Sequence, residues 1–263
     1  MKILTTFGII LNSFFLLAQS KPQANQAISH QPSAISYRIL LIPFEQKMLM
    51  SEIGKAVNDK TGLSFDKIAD EFRTEMDLAL YKTFKQTYTT ISLLQNPKKG
   101  DTTISYIYSA TGYKYDLLAG KDSSGESHAE FDTALQNKHF IHNGELQVPM
   151  DYSQRFMNVS INNKNLLQWL NKQYNVNTFV FINELDIKDV SNPSDNLTDN
   201  NFRRQITAHY SILNTQYQYL TAGIVTANFP YNENNPKTIG EKYFSVIAQE
   251  LLHKFEQHII QKK

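Results

Sequence analysis

Tyr37-Arg38-Ile39-Leu40-Leu41-Ile42-Pro43-Phe44 is the stretch on which the reading of the fold turns. From Ile39 to Ile42 it is apolar at every position, without the polar alternation of a half-exposed strand, and a strand covered on both faces reads this way. Pro43 cannot donate to a sheet ladder and closes the run. The stretch is therefore expected to be the first strand of a covered sheet, and the connection from Glu45 to Leu63 leaves its C-terminal end.

Working downstream, Ser64 is a good N-cap and Asp66 suits the positive end of a helix. Phe65, Ile68, Ala69, Phe72, Met76, Ala79, Leu80 and Phe84 then fall at spacings of three and four, which makes an amphipathic helix lying on the sheet. Tyr88 to Leu94 reads as a second strand, and strand–helix–strand in this order predicts a parallel, right-handed crossover. Residues 95–162 read as an insertion packed on the sheet. Within it, Thr102 to Leu118 suggests a short helix weakened by Gly112, residues 120–127 a turn, and Asn143-Gly144 a tight hairpin between Phe140–His142 and Glu145–Val148.

Order returns with a helix carrying Leu166, Leu167, Leu170 and Tyr174, ended by Asn175, and with the apolar strand Thr178 to Ile187. A polar loop over 190–201 follows. The hairpin of 205–214 and 219–228 has Ile206, Ala208, Tyr210 and Ile212 alternating with Thr207, His209 and Ser211, the pattern of one buried face. Thr238 and Glu241 have capping-box spacing. Ile239, Tyr243, Val246, Ile247, Leu251, Phe255 and Ile259 give the last helix its apolar stripe. The expected fold class is α/β (α+β): a mixed sheet of about five strands with amphipathic helices packed on it.

Upstream, Lys2, the apolar run of residues 7–18 and the small residues Ala18 and Ser20 read as a secretory signal peptide over residues 1–20. Residues 21–35 are rich in Gln, Ser, Ala and Pro without a period, and we expect a disordered leader there. A single domain over 36–263 then follows, in the periplasm or outside the cell. The chain of 263 residues has no cysteine, so disulfides and thiol-based metal or lipid attachment are excluded. Lys+Arg at 26 balance Asp+Glu at 25, which argues against nucleic acid as a partner. Nothing after residue 20 is long and apolar enough to span a bilayer, so the protein is peripheral to a membrane at most.

The residue types that carry chemistry do not assemble into a motif. His253 and His258 on the last helix are five apart and turn to different faces, whereas a helical metal pair needs a spacing near four. His139 and His142 flank a strand at a spacing of three, and His128 lies among serines. No nucleophile elbow and no phosphate-binding glycine loop is present. Glu184 and Asp186, two apart, point to one side of their strand and could pair as acid and base, although a strand running out into solvent explains them as well. Asn158-Val159-Ser160 and Asn196-Leu197-Thr198 match the N-glycosylation pattern and Asp132-Thr133-Ala134 a short O-glycosylation acceptor. No catalytic residue, metal ligand or cofactor is assigned.

The connection after the first strand is different. Met48, Leu49, Met50 and Ile53 are apolar in a segment that need not bury them, and open α/β sheets place binding crevices beyond the C-terminal ends of their strands. Glu45, Lys47, Met48, Met50, Ser51 and Glu52 are therefore the candidate partner-binding residues, with packing beneath the final helix as the alternative.

The Ile39-Leu40-Leu41-Ile42-Pro43-Phe44 strand, the helix after it, the strand around Ile91, the helix–strand pair 166–187, the hairpin and the closing helix resemble in order the N-terminal domain of TolB. They are similar also to the periplasmic domain of the curli secretion protein CsgG. The likeness covers residues 36–94 and 163–262 by pattern and the Pro-Phe strand by residue. No propeller and no lipid-bearing cysteine accompany it. What it implies is a cell-envelope interaction domain without catalytic residues, and the family's partners do not transfer. The function expected here is a non-catalytic cell-envelope interaction or assembly module that docks to another, unidentified envelope protein. A metal-dependent or carboxylate-based periplasmic hydrolase and a carrier for an apolar ligand are the alternatives.

Overall fold

A computed structural model describes residues 36–95, 102–118, 140–142, 145–147, 155–190 and 202–261. β1 (Arg38–Ile42) lies inside a mixed sheet, parallel to β3 (Thr89–Ser92) on one side and to β8 (Thr178–Asp189) on the other. β9 (Phe202–Asn214) and β10 (Tyr219–Pro230) continue the sheet as an antiparallel hairpin beyond β8, giving the order β10-β9-β8-β1-β3. A sixth strand, β2 (Leu49–Ser51), pairs in parallel with Leu185–Ile187 of β8. Residues 38–51 therefore form one interrupted strand along β8, broken by Pro43 and a single 3-10 turn at Gln46–Met48. That interruption hides β2 from the sequence, because three residues after a turn carry too little pattern to read.

Strand alternation divides the interior in two. Ile39 and Leu41 join Val180, Ile182, Ile206, Ala208 and Ile212 in a core covered by α2 (Phe65–Phe84) and the C-terminal helix. Leu40 and Ile42 join Phe179, Phe181 and Leu213 on the opposite face, under α3 (Thr103–Ala110) and α4 (Leu166–Tyr174). α2 begins as expected, its Ser64 hydroxyl accepting from the Lys67 amide. Phe65 departs from its stripe and is exposed. α1 (Gly54–Thr61) precedes it and ends at Gly62, whose φ of +71° is open to glycine at no steric cost.

Two expectations are corrected. The segment after α3 does not continue as helix. Thr111–Leu117 is β4, whose β-branched and aromatic residues pair antiparallel with β7 (Arg155–Ile161), a strand the sequence did not reveal. The hairpin of β5 (Phe140–His142) and β6 (Glu145–Gln147) is present, while the turn residues 143–144, the loop 120–127 and most of the loop 190–201 lie outside the described residues. The last helix is capped by Asn235, whose side chain accepts from the Lys237 and Thr238 amides, and not by a Thr238–Glu241 box. It runs as α5 (Pro236–Ile239), a π turn at Gly240–Phe244 and α6 (Ser245–Gln261).

Candidate functional site

A one-residue bulge in β8 creates the polar centre of the molecule. Ile182 faces Tyr210 and Glu184 faces His209 across the β8–β9 ladder, so Asn183 is the extra residue. Before the bulge the even-numbered side chains Val180 and Ile182 enter the first core. After it the odd-numbered Leu185 and Ile187 do, and Glu184 and Asp186 swing to the opposite face. There the β4–β7 ribbon covers them. Glu184 is 1% exposed, and Asp186 and His209 are also buried. The expectation that this strand runs out into solvent is thus overturned, as is that of a single buried face on β9, where His209 and Ser211 meet the ribbon.

The donors and acceptors interlock across the two layers. The Met157 amide of β7 donates to His209 Nδ1 at 2.8 Å, and the Tyr115 hydroxyl of β4 donates to both Glu184 oxygens at 3.1 Å. Asn183 Nδ2 donates to the Met157 carbonyl at 2.9 Å and to Ser211 Oγ at 2.7 Å, and Ser211 donates onward to Asn158 Oδ1 at 2.6 Å. His209 Nε2 lies 3.6 Å from both Glu184 Oε1 and Asp186 Oδ2, and Lys188 Nζ lies 3.3 Å from Asp186 Oδ2. Burial pushes the Glu184 carboxyl up from the ordinary carboxylate range, and neighbouring Asp186 adds to this against the pull of His209. Burial acts in the same direction on Asp186, but the His209 N–H and Lys188 outweigh it and hold that carboxyl low.

Glu184, Asp186 and His209 bring one ligand atom each within 4.8 Å of one another, the spacing of a metal site. The hydrogen bonding speaks against that use. His209 Nδ1 accepts from Met157, which assigns the ring hydrogen to Nε2, the atom facing the carboxylates. A metal-ligating histidine offers a bare nitrogen to the ion and donates from the other one. Here the roles are reversed, and Nε2 faces the two carboxylates at 3.6 Å without a hydrogen bond to either.

A second polar group closes the crevice beyond β1. The chain leaves β1 through α2 on one face and returns to β8 through α3 and α4 on the other, which makes the C-terminal end of β1 the switch point where open sheets hold ligands. Arg73 Nε donates to the Phe44 carbonyl at 2.9 Å, and Arg73 Nη2 to the Tyr108 hydroxyl at 3.1 Å. Tyr108 in turn donates to the Pro43 carbonyl at 2.9 Å. These side chains occupy the place of a ligand.

The residues selected for partner binding are scattered in exposure. Met48 is buried in the first core with Ile53, so it packs beneath the helices. Glu45 is half-buried and pairs with exposed Lys47 at 2.9 Å. Ser51 is held in β2, and Glu52 accepts from the Asp189 amide at 2.9 Å. Met50 is 48% exposed. Next to β2 a groove is lined by Leu49, Ser51, Ile68 and Ala69, with Phe65, 65% exposed, at its side. On the last helix, exposed His253 bonds Gln257 at 2.8 Å, away from the buried cluster. His128 and His139 lie outside the described residues, as do Asp132 and Asn196, whereas Asn158 is buried within β7. His209 and Tyr115 were missed because one sat in a polar alternation and the other in a segment read as helix.

The fold is thus a mixed sheet between helices on one face and helices plus a β-ribbon on the other. Compared with known proteins, the chain matches no family model and no curated protein.

Proposed function

We propose that the protein acts by binding and carries out no catalysis: a periplasmic or secreted module, used after loss of its leader, that docks an extended segment of another envelope protein. One observation carries this reading. Among the described residues the Glu184–Asp186–His209 cluster is shut inside, and Arg73 and Tyr108 are bonded across the C-terminal end of β1, while Met50 and Phe65 stand exposed beside a strand that pairs on one side only. The Glu52 amide bonds the Ile187 carbonyl, so by alternation Met50 also faces β8, and the Leu49 carbonyl and the Ser51 backbone turn outward, the Leu49 amide being held by the Gln46 carbonyl. An extended segment added there gains backbone hydrogen bonds and an apolar groove at once.

The test is crosslinking in native envelopes followed by capture, comparing the wild type with a Met50→Glu, Phe65→Glu variant. Both side chains are exposed, so the fold survives. The captured partner is expected to disappear with the variant, and its persistence overturns the docking surface. A metal-dependent enzyme is the second reading, favoured by the approach of Glu184, Asp186 and His209. Stoichiometric zinc or manganese in the purified protein would replace the first reading with this one.

A further inference from the structure

The sheet has two outer edges, and they are built differently. β3 is four residues long, and shortness is one of the ways in which proteins keep an edge from pairing with another chain. β10 is twelve residues long, Tyr219 to Pro230, and β9 holds its inner side from end to end. Among the described residues nothing pairs with its outer side. The sequence of β10, YLTAGIVTANFP, holds no charged residue, so the lysines and inward charges that usually blunt a long edge are lacking, and its one proline stands at the very end. Beside the edge runs a groove between β10 and the last helix, lined by Ile224, Thr226, Val246, Glu250, His253 and Lys254. Val246 is 47% exposed there, an apolar side chain on a helix face otherwise made of Gln249, Glu250 and His253.

We propose that β10 is the homodimer edge: two copies pair their β10 strands antiparallel about a two-fold axis and join their sheets into one. Charge selects a second copy over a foreign strand. A two-fold contact sets a surface against itself, so it needs self-complementary charge. An uncharged strand meets its own copy without repulsion. The adjoining helices, running antiparallel, bring Glu250 of one copy toward the partner's Lys254, and Lys254 toward the partner's Glu250. Within one copy these two already lie 3.6 Å apart, one turn of helix from each other, on the rim of the groove. Pairing the edges also covers Ile224 and Val246. This interface is independent of the β2 docking surface, and either stands if the other fails.

Sedimentation and light scattering across a concentration series test it. The wild type is expected to have the mass of two chains. A Thr226→Lys, Asn228→Lys variant, altered at two exposed positions of β10, is expected to run as one chain with an unchanged far-ultraviolet spectrum. Glu250→Lys is expected to weaken the dimer about tenfold, since two symmetric rim pairs are lost together. Adding Lys254→Glu to it should restore the affinity. A wild type that stays monomeric throughout overturns the proposal, and so does a dimer indifferent to the lysines on β10. A dimer that responds to those lysines but not to the charge exchange overturns the two-fold helix arrangement.

Discussion

Asp77 carries a carboxyl that the fold accommodates badly at neutral pH. It lies on the buried face of α2, 2% exposed, and accepts from Ser92 Oγ at 2.5 Å and Gln95 Nε2 at 3.3 Å. Burial pushes its pKa up to about 6 from 3.8, and the two hydrogen bonds and Arg73 offset only part of this. A folded-state value above the unfolded one means that the proton favours the fold. The contribution is complete below pH 3.8 and is lost as the pH rises through about 6, where the buried charge costs roughly 3 kcal/mol. In urea titrations, Asp77→Asn is therefore expected to exceed the wild type by about 2 kcal/mol at pH 7.5, allowing for an imperfectly paired amide. At pH 4 that advantage should vanish, and an equal gain at both values would refute the account. The helix stripe was legible in the sequence, yet Asp77 reads there as one more solvent-facing charge. Only the turn after β3, which brings Ser92 and Gln95 to it, reveals otherwise.

Between elements, the decisive contacts are departures from regularity. The stripe of the last helix was read at a uniform period, but the wider π turn at Gly240–Phe244 shifts it, so Phe244 is buried and Val246 is turned outward. The same turn brings Gly240 so close to α2 that a Cβ there would lie 2.5 Å from Glu75 Cβ. Glu75 Cβ is anchored to its own backbone and cannot swing away, so Gly240→Ala must push two helices apart. A loss of about 1–3 kcal/mol in thermal or chemical unfolding is expected. An unchanged midpoint would mean that the helices do not touch here. The bulge at Asn183 is a second such irregularity. Ile182 to Ile187 carries the correct residues for a strand, but no residue type marks the inserted position, and so the burial of Glu184 and Asp186 could not be read. Elements with a sustained period, β1, α2, α4, β8, β9 and β10, were legible. The ribbon strand β7 was not, because its Asn158 and Ser160 disguise a strand buried against other polar groups.

Across the whole molecule, β1 depends on partners far away in the chain: the Arg38 amide donates to Asn177 Oδ1, 139 residues on, and Ile39 to Ile42 lie against Thr178 to Phe181. Long-range parallel pairing of this kind incurs loop-closure entropy before any contact repays it, and folding is slow. A fragment ending at Val176 retains β1, α2, β3 and the ribbon but lacks the strand that both interior faces share. It is expected to show no cooperative thermal transition, and a sharp melt would refute that dependence. The interrupted strand of residues 38–51 carries a consequence for the unfinished chain. Whichever end emerges first, the sheet stays open until some 150 residues have followed, as the span from Arg38 to Ile187 requires. Until then neither interior face has the strand that closes it, and its apolar residues stay open to other chains.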